Sequence, residues 1–311
     1  MQFSPGASNF FKKCRFLRKN SLMKKLLLLQ WLLNKLPLIL LLGLGFGVFS
    51  CNTSEKFPFK DLNEKSEALL KDKTQNYKTH KYGQFKLYFP ADAFTKEEIS
   101  AQEAELDRSM QKALRVTGTS AYLNGIHIFL FPDTAAMKAH TNSSLRYLIR
   151  PNEDAAYLVA NSTQRPYFSH ILFQILAVES WGTPKDGIMV EGGAFFTDFR
   201  CMDIDYPFDE IGSYLYTQDS LISLRAIMRN YREVYAIYPT QTEIESAAFF
   251  QFIYDNFGLE KAKRLWVEGI RRIEGVIGMT AGEVEKEIIG RFKNNADGQQ
   301  IDWEKLKRDG C

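Results

Sequence analysis

The chain has 311 residues, of which 45% are hydrophobic and 14% aromatic, enough apolar material for a globular core and too much for a disordered protein. The formal charge of +3 is misleading, because residues 1–50 contain eight Lys or Arg and no acidic residue. Residues 51–311 therefore hold 32 basic and 37 acidic residues, a net charge of −5, which argues against nucleic acid as a partner.

Residues 1–50 have the pattern of a secretory leader. Met23 and the two lysines after it form a basic start, a long apolar stretch follows, and the chain then reaches Val48-Phe49-Ser50-Cys51. This last segment resembles a bacterial lipobox, in which the cysteine becomes the acylated first residue of the mature protein. We therefore expect residues 1–50 to be removed and Cys51 to carry the lipid, with residues 1–22 an upstream extension if translation starts at Met23.

The alternative is that the apolar stretch remains as an uncleaved transmembrane anchor, because its length approaches the roughly 20 residues that span a bilayer. Both interpretations place the rest of the chain outside the cytoplasm, in the cell envelope of a bacterium, either periplasmic or surface-exposed. Asn52 stands where an aspartate retains some lipoproteins at an inner membrane, and this favours the outer membrane.

The cysteines fit such a compartment. Once Cys14 is removed with the leader and Cys51 is acylated, Cys201 and Cys311 remain as an even pair where disulfides persist. A Cys201–Cys311 disulfide would join the C-terminal residue to the end of the helical segment that contains Glu191. Two unrelated thiols are the alternative, because sequence does not fix the distance between them.

After Cys51 the chain begins with a polar, charged stretch. Residues 51–79 predict a tether with a short helix near 62–70, and ordered sequence is expected from His80 onward. Alternating apolar residues then predict three strands, at 85–90, 125–131 and 155–160. A helix is predicted between the first two strands, from a Thr95–Glu98 capping box to Gly118, and a short helix at 133–140 between the last two.

Residues 166–182 predict the central helix, since apolar residues cover most of its circumference between Pro166 and Gly182. His170 and Gln174 are four residues apart, so their side chains lie on one face of that helix. Glu191 follows near the start of a second helical run, VEGGAFFTDF.

The rest of the chain is helical in pattern. Thr242 with Glu245 and Thr280 with Glu283 have the spacing of capping boxes, and residues 293–311 predict a C-terminal tail. No linker composition or repeat divides the chain. The predicted fold class is α+β: a small mixed sheet and a central motif helix packed against a helical C-terminal lobe, together forming one domain over residues 80–292.

The order of His170, Gln174 and Glu191, with its flanks, resembles the gluzincin-type zinc metallopeptidases, the thermolysin-like superfamily. That family carries His-Glu-x-x-His on one helix and a glutamate ligand on a later one, followed here by Gly192 and Ala194, which would let the two helices pack closely. The resemblance implies that His170 and Glu191 occupy two ligand positions. It covers about residues 80–292.

Two departures argue against the family's reaction. Gln174 occupies the second ligand position, and Ile171 occupies the position of the general base. A catalytic zinc needs three protein ligands and an open position, and a neutral amide is a poor substitute for imidazole. We therefore expect no tight zinc and no cofactor, and we interpret His170, Gln174 and Glu191 as a hydrogen-bonded, vestigial metal site.

The remaining histidines offer no replacement ligand. His127 lies in a predicted strand, where a hydrogen bond to the backbone is the commoner role, and His80 and His140 are expected to be exposed.

The sequence thus favours a membrane-tethered, catalytically inactive metallopeptidase-like lipoprotein that binds a peptide or protein partner in its cleft or serves a structural envelope role. One alternative is an active hydrolase with non-standard metal ligands or a different base, such as Glu179 on the motif helix. Another is a plain surface adhesive or anchoring lipoprotein. Catalysis by serine has no support because the sequence has no Gly-x-Ser-x-Gly elbow, and Cys201 has no partner histidine placed by the sequence.

Overall fold

The computed structural model describes residues 57–143, 145–161, 166–198, 207–295 and 301–309. The predicted leader, the predicted lipidation site Cys51 and the proposed Cys201–Cys311 pair lie outside these ranges. In the part of the chain that is described, no helix is long and apolar enough to cross a membrane.

A five-stranded mixed sheet forms one side of the domain, in the order β1-β2-β3-β5-β4. The inner strands β2, β3 and β5 are parallel, whereas β1 and β4 pair antiparallel at the two edges. The strands are β1 (Tyr77–Tyr82), β2 (Phe85–Pro90), β3 (Ile126–Phe131), β4 (Tyr147–Arg150) and β5 (Ala155–Val159). Strands β3 and β5 are buried along their whole length because helices cover both faces of the sheet.

Helices make up most of the remainder, so the predicted α+β class is confirmed. They are α1 (Glu64–Lys71), α2 (Lys96–Thr117), α3 (Thr134–Thr141), α4 (Phe168–Trp181), α5 (Gly187–Asp198), α6 (Phe208–Thr217), α7 (Leu224–Arg229), α8 (Tyr231–Ile237), α9 (Pro239–Phe257), α10 (Leu259–Glu268), α11 (Ile273–Ile277), α12 (Ala281–Asn294) and α13 (Trp303–Asp309), with 3-10 turns at Pro151–Glu153 and Ile270–Arg272.

Two of the three predicted capping boxes are present. The Thr95 hydroxyl accepts the backbone N–H of Glu98 at the start of α2, which ends at left-handed Gly118, and Thr280 and Glu283 cap α12 in the same way. The box predicted at Thr242 and Glu245 is wrong. Helix α9 begins earlier, at Pro239, so both residues lie inside the helix and its N-terminus has no side-chain cap.

The N-terminal segment differs from the predicted tether, because residues 57–79 pack on the domain. Phe59 pairs with Gly125 beside β3, and the Lys60 ammonium lies 2.9 Å from an Asp154 carboxylate oxygen. Helix α1 covers the outer face of the sheet, where the Ser66 hydroxyl lies 2.7 Å from the Tyr157 hydroxyl. This cover also buries His140, which was wrongly predicted to be exposed.

The predicted C-terminal tail is also part of the domain where the structure describes it. Ile301 and Leu306 are buried, and the Trp303 ring packs against the Tyr214 ring with 5.8 Å between centroids. The domain therefore extends beyond the predicted boundary at residue 292.

The main core lies between the inner face of the sheet and helices α2, α4, α5 and α9. Helix α4 is at its centre, with Ile171, Leu172, Phe173, Ile175 and Leu176 all at most 1% exposed. Helices α5 and α9 pack closely against each other and connect the sheet side to the helical lobe. A polar residue that points inward from α4, α5 or α9 must therefore find its hydrogen-bond partner inside the protein.

Candidate functional site

The three residues singled out in the sequence lie side by side. His170 is 1% exposed on α4, and its Nε2 atom lies 3.0 Å from Glu191 Oε2 on α5 and 2.9 Å from the Gln174 amide nitrogen. Their predicted proximity agrees with the structure, whereas their origin as former metal ligands stays a prediction. Because Nε2 has either one hydrogen or one lone pair, it cannot donate to Glu191 and accept from Gln174 at once.

Aromatic rings enclose the imidazole. The His170 ring centroid lies 4.6 Å from that of Tyr147 on β4 and 4.7 Å from that of Phe195 on α5. The Tyr147 hydroxyl donates a hydrogen bond to Glu191 Oε2 at 2.9 Å. The other imidazole nitrogen, Nδ1, is buried and has no hydrogen-bond partner in the described ranges. All polar contacts of this imidazole are therefore made through Nε2.

These residues do not fit a catalytic zinc. The His170 nitrogen that would have to bind metal is within hydrogen-bond distance of Glu191 and Gln174, and the second ligand position offers only an amide. Ile171 is fully buried in the core and has no group that could take a proton from water. Across the described residues, no three His, Cys, Asp or Glu side chains are grouped to hold a metal ion.

A second carboxylate, Glu243, completes the site and was missed in the sequence. It projects from α9, is 7% exposed, and accepts a hydrogen bond from the Tyr235 hydroxyl at 2.7 Å. Burial and, to a smaller extent, the nearby Glu191 raise the pKa of Glu243 to about 8, although the hydrogen bond from Tyr235 and the charge of Arg146 both lower it. No local signal in the sequence indicated it, because Glu243 follows the predicted cap at Thr242, where an exposed residue of the first helical turn is expected.

Three tyrosines surround the two carboxylates. Burial is the main cause that raises the pKa of Tyr147, Tyr231 and Tyr235, and the charges of Glu191 and Glu243 raise all three pKa values further. We call Glu191, Glu243 and these tyrosines the carboxylate–tyrosine cluster. It offers several hydrogen-bonding oxygens beside His170, although it lacks the ligand set of a metallopeptidase.

The close approach of α5 to α9 depends on Gly192. A Cβ atom at Gly192 would lie 2.2 Å from the backbone oxygen of Ser246, and one at Gly193 would lie 2.3 Å from the Phe173 ring. Ala194, which together with Gly192 was predicted to let the His170 and Glu191 helices pack closely, is fully buried. The two glycines therefore allow α5, which carries Glu191, to lie close to α4 and to α9, which carries Glu243.

The other residues considered in the sequence lie away from this cluster. Glu179, the alternative base, is exposed near the C-terminal end of α4. His127 contacts the Tyr88 hydroxyl at 2.9 Å and the Lys60 carbonyl oxygen at 2.8 Å, which is a structural role. His80 contacts Glu103 and is partly buried rather than exposed.

No protein-family model matches the chain, and comparisons with curated proteins and with solved structures return no match.

The raised pKa of Glu243 predicts how stability depends on pH. A carboxyl group with a folded-state pKa near 8 and an ordinary value of 4.5 stabilises the fold fully only below about pH 4.5, and this contribution is lost as the pH rises through 8. In the unmodified protein this one group should therefore make the free energy of unfolding fall by up to about 1.4 kcal/mol per pH unit as the pH rises across that range. Glu243→Gln should abolish that fall. Urea denaturation at several pH values measures the free energy of unfolding of both proteins.

Glu287→Gln is the matched control, because Glu287 is exposed on α12. Its stability curve should follow that of the unmodified protein. If the curve of Glu243→Gln also runs parallel to the unmodified one, Glu243 is ionised in the folded state at neutral pH.

Proposed function

We propose that this chain is a non-catalytic relative of the gluzincin-type metallopeptidases, attached to a bacterial envelope membrane through a lipid on Cys51. In this proposal it binds a peptide or protein partner in the cleft between the sheet and the helical lobe, or serves a structural envelope role. The observation that supports it is the contact of His170 Nε2 with both Glu191 and Gln174, at the position where the family binds zinc.

The chemistry of the site supports inactivity as a peptidase. Loss of a general base alone typically costs about 10²- to 10⁴-fold in rate, and Ile171 cannot act as one. Binding needs less than catalysis, because a cleft needs only shape, apolar lining and a few polar groups. Polar groups of this kind are present at the edge of the cluster, on the partly exposed side chains of Tyr147, Glu191 and Tyr235.

A second candidate is a metal-independent hydrolase that uses the carboxylate pair. It is favoured by the pKa of Glu243, which burial and Glu191 bring to about 8, within the range suited to acid–base chemistry at neutral pH. Glu243 would then be the general acid and Glu191 the base. Glu179 does not suit this role, because it is exposed and remote from the imidazole.

One experiment separates the two candidates. The protein is purified without chelator, its zinc content is measured by mass spectrometry, and hydrolysis of a mixed peptide library is followed with and without chelator. We expect less than about 0.1 equivalent of zinc and no hydrolysis. Zinc near one equivalent with chelator-sensitive hydrolysis contradicts the proposal, whereas chelator-insensitive hydrolysis that Glu243→Gln abolishes favours the second candidate.

Peptide binding is measured with the same purified protein. The immobilised protein is exposed to the library, and retained peptides are compared with those on Tyr235→Ala, which removes a phenol from the cleft edge, and on the control Glu287→Gln. A peptide-binding role is supported if some peptides bind to the unmodified protein and to Glu287→Gln but not to Tyr235→Ala. Equal retention on all three proteins leaves the structural role.

A further inference from the structure

A second concave site lies in the helical lobe. It is a pocket of about 320 Å³ between the segment that joins α6 to α7 and the helices α9 and α12. Leu221, Ile222, Ile289 and Phe292 provide apolar walls, and Glu245 and Glu285 add carboxylates. Glu245 is two residues from Glu243 on α9, so the two side chains point to opposite sides of the helix and the pocket is separate from the carboxylate–tyrosine cluster.

Glu245 is unusual among these residues because it is buried without a cation. It is 7% exposed, and Oε1 accepts the backbone N–H of Ile222 at 2.6 Å. Within the described ranges no Lys, Arg or His forms an ion pair with Glu245, and none lines the pocket. A buried carboxyl group without a cation is held mainly in its protonated form, and one backbone N–H only partly compensates the charge of the ionised form. A cationic ligand in the pocket would favour that ionised form.

Glu285 adds a second negative group to the same pocket. Its Oε1 accepts the Leu224 backbone N–H at 2.7 Å. Burial and, to a smaller extent, the charge of Glu285 raise the pKa of Glu245 to about 8, although the Ile222 N–H lowers it. Asp219 lines the same pocket, so an anionic ligand would be repelled. A neutral ligand would gain no charge–charge attraction from Glu245 or Glu285.

We propose that this pocket binds a primary ammonium group carried on an aliphatic chain, such as a lysine side chain or a small alkylamine. The ammonium would lie between Glu245 and Glu285, and the aliphatic chain would run along Ile222 and Ile289. The volume is at the lower end of the roughly 300–1,000 Å³ typical of ligand pockets, which suits one short chain. Lysine has this combination of apolar stem and charged end.

A purely structural role for Glu245 makes a different prediction. Accepting the Ile222 N–H needs one oxygen atom, and glutamine supplies it as well as glutamate does. Glu245→Gln therefore keeps the backbone hydrogen bond and removes only the charge. It should fold normally and lose the ammonium ligand.

Isothermal titration calorimetry of the full chain tests the proposal with three probes: n-pentylammonium, Nα-acetyl-lysine amide and uncharged n-pentanol. We expect saturable one-to-one binding of an ammonium probe, no binding of pentanol, at least about tenfold weaker binding in Glu245→Gln, and unchanged binding in Glu287→Gln. Binding of the lysine derivative indicates a peptide side chain as the ligand, and binding of pentylammonium alone indicates a free amine.

Three results would overturn the proposal: no saturable binding of either ammonium probe, equal binding of pentanol, or undiminished binding to Glu245→Gln. If circular dichroism shows that Glu245→Gln does not fold, Ile289→Trp replaces it, because the partly exposed Ile289 lines the pocket and a larger ring there should block it. Retained binding in Ile289→Trp would then contradict the site.

Discussion

Gly192→Ala is expected to lower the free energy of unfolding by about 3 kcal/mol or more, at the upper end of the cost of overpacking a core. The new Cβ atom would lie 2.2 Å from the carbonyl oxygen of Ser246 and 2.8 Å from its carbonyl carbon. Backbone atoms cannot rotate away as a side chain can, so α5 and α9 must separate. Because α5 also carries Glu191, its contact with His170 should weaken too.

Urea denaturation measures this effect, with Gly290→Ala as the matched control. Gly290 lies within α12, and an added Cβ there meets no atom within 4 Å. That change should leave stability unchanged or raise it by up to about 1 kcal/mol, because alanine favours a helix more than glycine does. Equal unfolding midpoints for Gly192→Ala and the unmodified protein would show that the two helices do not approach this closely.

Gln174→His is expected to convert the His170 site into one that binds zinc at close to one equivalent. The substitution gives two histidines and one glutamate, a ligand set of catalytic zinc sites. Nε2 of His170 already lies 2.9 Å from the Gln174 amide nitrogen and 3.0 Å from Glu191 Oε2. Ligands about 2.0–2.1 Å from a tetrahedral zinc are about 3.3 Å apart, so only a small expansion is needed.

Zinc content after dialysis, measured by mass spectrometry, is the readout. Gln174→Ala and the double change Gln174→His with Glu191→Gln are the controls, and both should remain without zinc. No hydrolysis is expected, since Ile171 still provides no base. Adding Ile171→Glu would place a carboxylate at a fully buried position and cost several kcal/mol, so the single change is the better test. Failure of Gln174→His to gain zinc would remove the main support for the metallopeptidase relationship.

The helices and strands that the sequence predicted correctly are those whose ends are determined by neighbouring residues in the chain. Local residues determine both ends of α2, because the Thr95–Glu98 capping box starts the helix and left-handed Gly118 ends it. The Thr242–Glu245 pair has the same spacing and failed, because Pro239 starts α9 three residues earlier and Glu245 accepts a hydrogen bond from the distant Ile222. A cap is predictable only where no tertiary partner competes for its side chain.

The site was predictable only in part for a similar reason. His170 and Gln174 share a helix face at a fixed spacing, so their proximity follows from local geometry. Strand β4, which places Tyr147 beside Glu191, was missed because it is a four-residue edge strand with half-buried side chains. Glu243 resembled an exposed residue of a first turn, and only the packing of α9 against α5 and Tyr235 reveals its burial.

The position of β1 has a consequence for how the domain avoids self-association. As an edge strand it presents Lys78, Thr79 and Lys81 to solvent, and charged side chains at an open edge discourage another chain from adding a strand. Its neighbour β2 is far more apolar, with Phe85, Leu87 and Phe89 buried. A shortened chain that began after Tyr82 would leave β2 as the open edge and invite intermolecular sheet growth, so these lysines serve as gatekeepers against aggregation.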